Sequence, residues 1–241
     1  MREHRTGLQK RKVYLTFDVE RDYIKTGYLD PPSFEGIKAH LPRILDKLHA
    51  IDAVGTFFLT PEVIEQCDEL VSEILKRHIV GLHSHAYYQP EFIGWDTNGD
   101  SFSSYETHLV QRMIKRDAAK FQARIGQPKL FRIGRLEPHH TVLKTVSDLG
   151  CGCDSSFHTD GYTVLERVRC ALSYKFVEVP VTAHLFGLQR RHFDVRNPVI
   201  LVHPITPPNH PDREVFDLEH FMGLIDECSA SYEFAALNNM T

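Results

Sequence analysis

Short runs of β-branched and aromatic residues alternate with helix-period apolar patterns along this chain, and that alternation restricts its fold more than any other feature. "VYLTF" (13–17) reads as a buried strand. From Ser33 onward, Ile37, Leu41, Ile44, Leu45 and Leu48 recur at threes and fours, as on one face of a helix. "VGTFFL" (54–59) is a second strand, and Thr60-Pro61 is a helix start, a capping residue followed by proline in the first turn. Val63, Ile64, Cys67, Leu70, Val71, Ile74 and Leu75 carry that helix. "IVGL" (79–82) is a strand, residues 103–126 are a long helix stopped by Gly126, and "KLFRIG" (129–134) is a strand. A helix follows over Pro138–Leu149, then a strand and its exit over 151–157, and a helix near 163–172. Strands at 176–181 and 198–204, a helix over Phe216–Cys228 and a short strand at 232–237 complete the pattern.

Seven or eight strands alternating with helices require a parallel sheet covered by helices. At 241 residues the expectation is an α/β fold, an irregular (β/α) barrel of seven or eight strands, in preference to an open doubly wound sheet. No GxGxxG or phosphate-loop turn follows the first strand, which weighs against nucleotide binding. The chain has no internal repeat, low-complexity tract or linker, so residues 12–241 read as one domain behind a flexible basic tail, 1–11. The net charge of -4 argues against a nucleic-acid partner. No apolar run reaches the roughly 18–20 residues that span a bilayer, and no apolar stretch follows the basic start as a secretory signal would require. The five cysteines are an odd number without framework spacing, which suits reduced thiols in the cytoplasm. "CGC" (151–153) is too tight for a zinc knuckle and reads as small strand residues.

In a (β/α) barrel the chemistry collects where strands end. Asp18 and Glu20 stand at the end of the first strand, and His83 and His85 at the end of the third. Arg132, Asp154 and His203 hold the corresponding places on later strands. Two acids, several histidines and an arginine at one mouth are costly to assemble without a task.

These strand ends carry motifs that resemble the polysaccharide deacetylase family (the NodB-homology domain, carbohydrate esterase family 4 and its relatives) over nearly the whole chain. "TFDVE" is similar to the family's Thr-Phe-Asp-Asp-Gly, with Asp18 on the catalytic base and Val19 where the metal-binding aspartate stands. By similarity to a divergent branch with Asp-x-Asp or Asp-x-Glu, Glu20 takes the metal instead. "VGTFFLT" resembles the Ala-Thr-Phe-Phe strand, and "VGLHSHAYY" the Ile-Gly-x-His-Ser-x-x-x-His motif. "LFRIG" with the later "DSSF" resembles the Phe-Arg motif, whose arginine pairs with the base; here it is Arg132. "ILVHP" resembles the last motif, whose histidine, here His203, is the general acid. The resemblance implies an irregular barrel, one divalent metal ion (zinc first, nickel or cobalt after it) and hydrolysis of C–N bonds. N-deacetylation of an acetylated amino sugar is the activity it points to, with a small-molecule or glycan substrate.

The family's two histidine ligands lie four apart, but four residues beyond His83 is Tyr87, and four beyond His85 is Gln89. Three repairs remain open. His85 can supply the second imidazole, because residues two apart share a face of an extended chain. A histidine from another loop (His139, His140, His158 or His184) can reach in, or the cleft holds no catalytic metal. The first gives Glu20, His83 and His85 as ligands. The last gives a metal-free pseudoenzyme that binds a glycan or protein partner. Tyr87 and Trp95, in the aromatic loop 87–102, and Arg135 are assigned to substrate contact; the aromatics either stack on sugar or pack the loop down.

Overall fold

The first apolar run becomes β1 (Arg11–Val19), which pairs with three other strands. A computed structural model of the chain describes residues 11–22, 32–86, 101–184, 197–204 and 216–237. After β1 come α1 (Glu35–Ala50), β2 (Thr56–Leu59), α2 (Pro61–Gln66), α3 (Asp68–Leu75) and β3 (Ile79–Ser84). Then follow α4 (Thr107–Arg124), β4 (Leu130–Ile133), α5 (His140–Asp148), β5 (Cys153–Asp154) and α6 (Val164–Tyr174). β6 (Val177–Glu178), β7 (Ala183–His184), β8 (Val199–Val202), α7 (Leu218–Ser229) and β9 (Tyr232–Ala235) complete the described elements.

Every pairing is parallel, in the order β6-β5-β4-β3-β2-β1-β8-β7, with β9 alongside the first half of β1. The two ends of that order are one continuous extended run. Val177, Val179 and Val181 donate their N–H groups to Gly152, Asp154 and Phe157, on the β5 side. Thr182 then donates to Val199, on the β8 side. This switch of partner within residues 177–184 curls the sheet into the irregular (β/α) barrel.

Side chains alternate across such a sheet, and helices cover its outer face, so both faces are buried. Val13, Leu15, Phe17 and Val19 of β1 face the helices, joining Ile37, Leu41, Ile44, Phe57, Val71 and Phe221 in the main core. There Phe17 stacks on Phe57 at 4.5 Å, with the Phe221 ring edge-on at 6.1 Å. Each such side chain, fully buried, contributes roughly 1.5–3 kcal/mol. The opposite register points inward: Tyr14, Phe58, Leu130, Cys153, Val179 and Val199 fill the barrel. Above them the same inward register carries Asp18, His83 and Arg132.

Element boundaries differ from the sequence pattern where polar side chains take over. Residues 102–104 form a separate 3₁₀ turn, with the Ser101 hydroxyl accepting from the Ser103 N–H at 3.3 Å, and α4 begins only at Thr107. α5 starts at His140 rather than Pro138, because the chain leaves β4 through Arg135 and Leu136, both left-handed (φ 63 and 52). The strand expected from 54 begins at Thr56, Gly55 being tied to His78 Nδ1 at 3.2 Å. Residues 1–10 of the basic tail lie outside the described residues, and Arg11 opens β1. The five cysteines form no disulfide. No helix among the described residues is long and apolar enough to cross a membrane.

Candidate active site

Asp18 and Glu20 are two residues apart on the outgoing end of β1, so strand geometry sends both carboxylates the same way. The two residues that follow are anchored. Arg21 donates Nε to Glu62 Oε2 of α2 at 2.9 Å. Asp22 accepts from Ser33 Oγ at 2.7 Å and from the Gly36 N–H at 3.0 Å, capping the start of α1. Glu20, just before them, is fully buried.

β3 delivers His83 and, just past its end, His85 by the same two-residue spacing. The His83 Nδ1–H donates to the Arg132 carbonyl at 3.0 Å, which leaves its Nε2 unprotonated and directed into the site. Burial pushes the His83 imidazole down, against the pull of Asp18, to about 4. His85 Nε2 stands 3.0 Å from His83 Nε2 and 2.9 Å from Glu20 Oε2. The third side of the triangle, His83 Nε2 to Glu20 Oε2, is 3.9 Å. Burial pushes the Glu20 carboxyl up, but His85, then His83 and His203, outweigh it and hold it below the usual carboxylate range.

These three residues fit a metal ion. Two ligand atoms about 2.1 Å from a shared tetrahedral centre lie roughly 3.4 Å apart, and the three observed separations bracket that value. Among the described residues this is the one cluster whose donor atoms all lie within 4.8 Å of each other. Gly134 supplies the cradle: a Cβ there would stand 2.3 Å from the His85 ring.

Arg132, on β4, is the largest fully buried side chain among the described residues. Its Nη1 donates to Asp18 Oδ1 at 2.7 Å, its Nε to the Ser155 carbonyl at 3.0 Å and its Nη2 to Ser155 Oγ at 2.8 Å. The guanidinium also lies 4.2 Å above the centre of the Phe58 ring, which approaches so closely because residue 81 is glycine. Burial pushes the Asp18 carboxyl up; Arg132, then His83 and His203, overcome it and hold the group ionised below its ordinary value. The other oxygen, Oδ2, faces His83 Nε2 at 3.8 Å and His203 Nε2 at 3.6 Å. The structure therefore brings Asp18, Glu20, His83, His85, Arg132 and His203 together.

Asp154 is a correction. Ser155, just past the end of β5, turns toward Arg132, so its neighbour Asp154 faces the helix layer, where it accepts from Ser156 Oγ at 2.6 Å. Tyr87 and Trp95 lie outside the described residues. Arg135 is half exposed just after β4 and pairs with Glu137 at 3.0 Å. Of the alternative histidines, His184 lies with its ring parallel to His203 at 6.1 Å, and His158 stacks on His184 at 5.1 Å. Burial, with His203 and His158 nearby, pushes His184 down to about 4. Ser155, Phe58 and Gly134 are supporting residues that the sequence pattern did not single out, although "DSSF" and the glycine of "FRIG" were within its motifs.

Residues 5–153 match the family described as polysaccharide deacetylase. Among solved structures, the chain is similar to a candidate polysaccharide deacetylase from Mycobacterium smegmatis (17% identity, 97% of this chain and 90% of that one, TM-score 0.66). It is similar to a peptidoglycan deacetylase from Bacillus subtilis (14% identity, 96% and 90%, TM-score 0.57). It is also similar to a carbohydrate esterase family 4 pseudoenzyme from Bacillus anthracis (15% identity, 96% and 65%, TM-score 0.55). No curated protein matches the chain. A sequence match over more than half its length, joined to this barrel and these strand-end residues, makes the chain a member of the polysaccharide deacetylase family.

Proposed function

We propose that the protein is a metal-dependent hydrolase that removes the acetyl group from an acetylated amino sugar, with Glu20, His83 and His85 holding one divalent ion, zinc first among the candidates. The observation that carries this reading is the Arg132–Asp18 pair beside the Glu20–His83–His85 triangle: a carboxylate kept ionised next to a ready-made set of donor atoms. When bound, the ion supplies an electrophilic centre for water and for the substrate carbonyl. Arg132 fixes Asp18 Oδ1, so Oδ2 is the oxygen that accepts the water proton. The His83 tautomer is set by the Arg132 carbonyl, which keeps the Nε2 lone pair toward the site. His203, on the other side of Asp18 Oδ2, carries the proton that the departing amine needs. Arg135 and the aromatic loop would contact the sugar.

Acetate release from acetylated glucosamine oligomers tests the assignment. Asp18→Asn is expected to lower turnover by roughly 10²–10⁴-fold with an unchanged circular-dichroism spectrum; full activity in that variant removes Asp18 from the base role. A second reading, a metal-free binding cleft, has Val19 in its favour, the position at which the family's first motif carries its metal-binding aspartate. Elemental analysis separates them: near-stoichiometric metal supports the hydrolase, and none from metal-replete medium supports the binder.

A further inference from the structure

Helix α6 is well made at both ends yet buries none of its residues. Thr163 Oγ1 accepts from the Glu166 N–H at 3.2 Å while Glu166 Oε2 accepts from the Thr163 N–H at 2.7 Å, and Lys175 closes the helix in a left-handed conformation. Among the described residues, the exposed large apolar side chains are Val164, Leu165, Val168 and Leu172 of this helix, with Val177 just beyond it. Leu172 is 75% exposed and Val164 67%. Spacings of one, four and eight place the four on one stripe. Cys170 and Tyr174, on the opposite side, pack against Leu143, Phe157 and Phe176. The helix thus shows an apolar face to each side, and one of them is uncovered.

The charges around the stripe indicate what covers it. We infer that α6 pairs antiparallel with α6 of a second copy of this chain about a two-fold axis at Val168. In that register Leu172 of each copy meets Val164 of the other, and Val168 meets its own equivalent. Along one flank, Glu166 of each copy faces Arg169 of the other. The head-to-tail arrangement sets acid against base on this flank, whereas a parallel pair would set Glu166 against Glu166, Arg169 against Arg169 and Lys175 against Lys175. The patch is small, in the size range of weak, transient interfaces.

Sedimentation equilibrium of the full chain between about 1 and 100 μM is expected to show a concentration-dependent rise from one chain mass toward two. Leu172→Glu is expected to abolish the rise while leaving circular dichroism and acetate release unchanged. Under mild oxidation Val168→Cys is expected to crosslink to a disulfide dimer, and Ser173→Cys, exposed but off the stripe, is not. A wild-type chain that stays monomeric throughout, or that binds lipid vesicles through the stripe instead, overturns the proposal. So does a dimer that survives Leu172→Glu, or crosslinking that favours residue 173.

Discussion

Gly134 shows how one missing side chain shapes the site. The His85 ring lies against its backbone so closely that a methyl group would have to displace an imidazole or a strand end. Gly134→Ala is therefore expected to weaken metal affinity by about 10–100-fold, measured by competition with a fluorescent chelator; an unchanged affinity would mean that His85 is not a ligand. The paired spacings Asp18/Glu20 and His83/His85 were legible in the sequence, because period two is what a strand end imposes. Cross-strand partners were not. Arg132 meets Ser155 from a neighbouring strand and Asp18 from across the barrel, separations of 23 and 114 residues that no local pattern encodes.

At the scale of elements, β5 and β6 set Asp154 directly beside Glu178. Burial, and then the neighbouring Asp154, push the Glu178 carboxyl well above its ordinary value, so the folded chain keeps a proton there that the unfolded chain releases. The native state binds more protons than the unfolded state as soon as pH exceeds the unfolded value near 4.5, so this pair makes stability fall as pH rises from there. Glu178→Gln is expected to raise the melting temperature at pH 8 more than at pH 5, flattening the profile in differential scanning calorimetry. An equal shift at both pH values would show that the two carboxyls do not share a proton. The sequence put Asp154 at the mouth because it stands at a strand end. Parity decides otherwise, and parity is fixed by Ser155, the residue after β5, meeting Arg132.

For the whole molecule, the alternation of apolar runs with helical periods was enough to foresee a helix-covered parallel barrel. The closure was less visible: residues 176–181 read as one strand, whereas the run continues to 184 and changes partner at Thr182. The proposed ion would tie β1 to β3 from inside that barrel. Since an ion bound only to the native state stabilises it by mass action, a free concentration 100-fold above Kd contributes about 2.7 kcal/mol. Chelation is thus expected to lower the melting temperature by several degrees and zinc to restore it, followed by thermal denaturation; equal melting temperatures with and without chelator would show no native-state binding.

β1 has one more consequence. Its first residue pairs with Tyr232 and its middle with Val199, so the strand bearing the acids acquires these neighbours only when late segments of the chain arrive. At roughly 5–20 residues per second of translation, the nascent β1 waits on the order of 10–40 s for them, with Val13, Leu15, Phe17 and Val19 still to be covered. Barrel assembly in this respect waits for segments made about 200 residues after β1, and the edge bearing the acids comes together near its close.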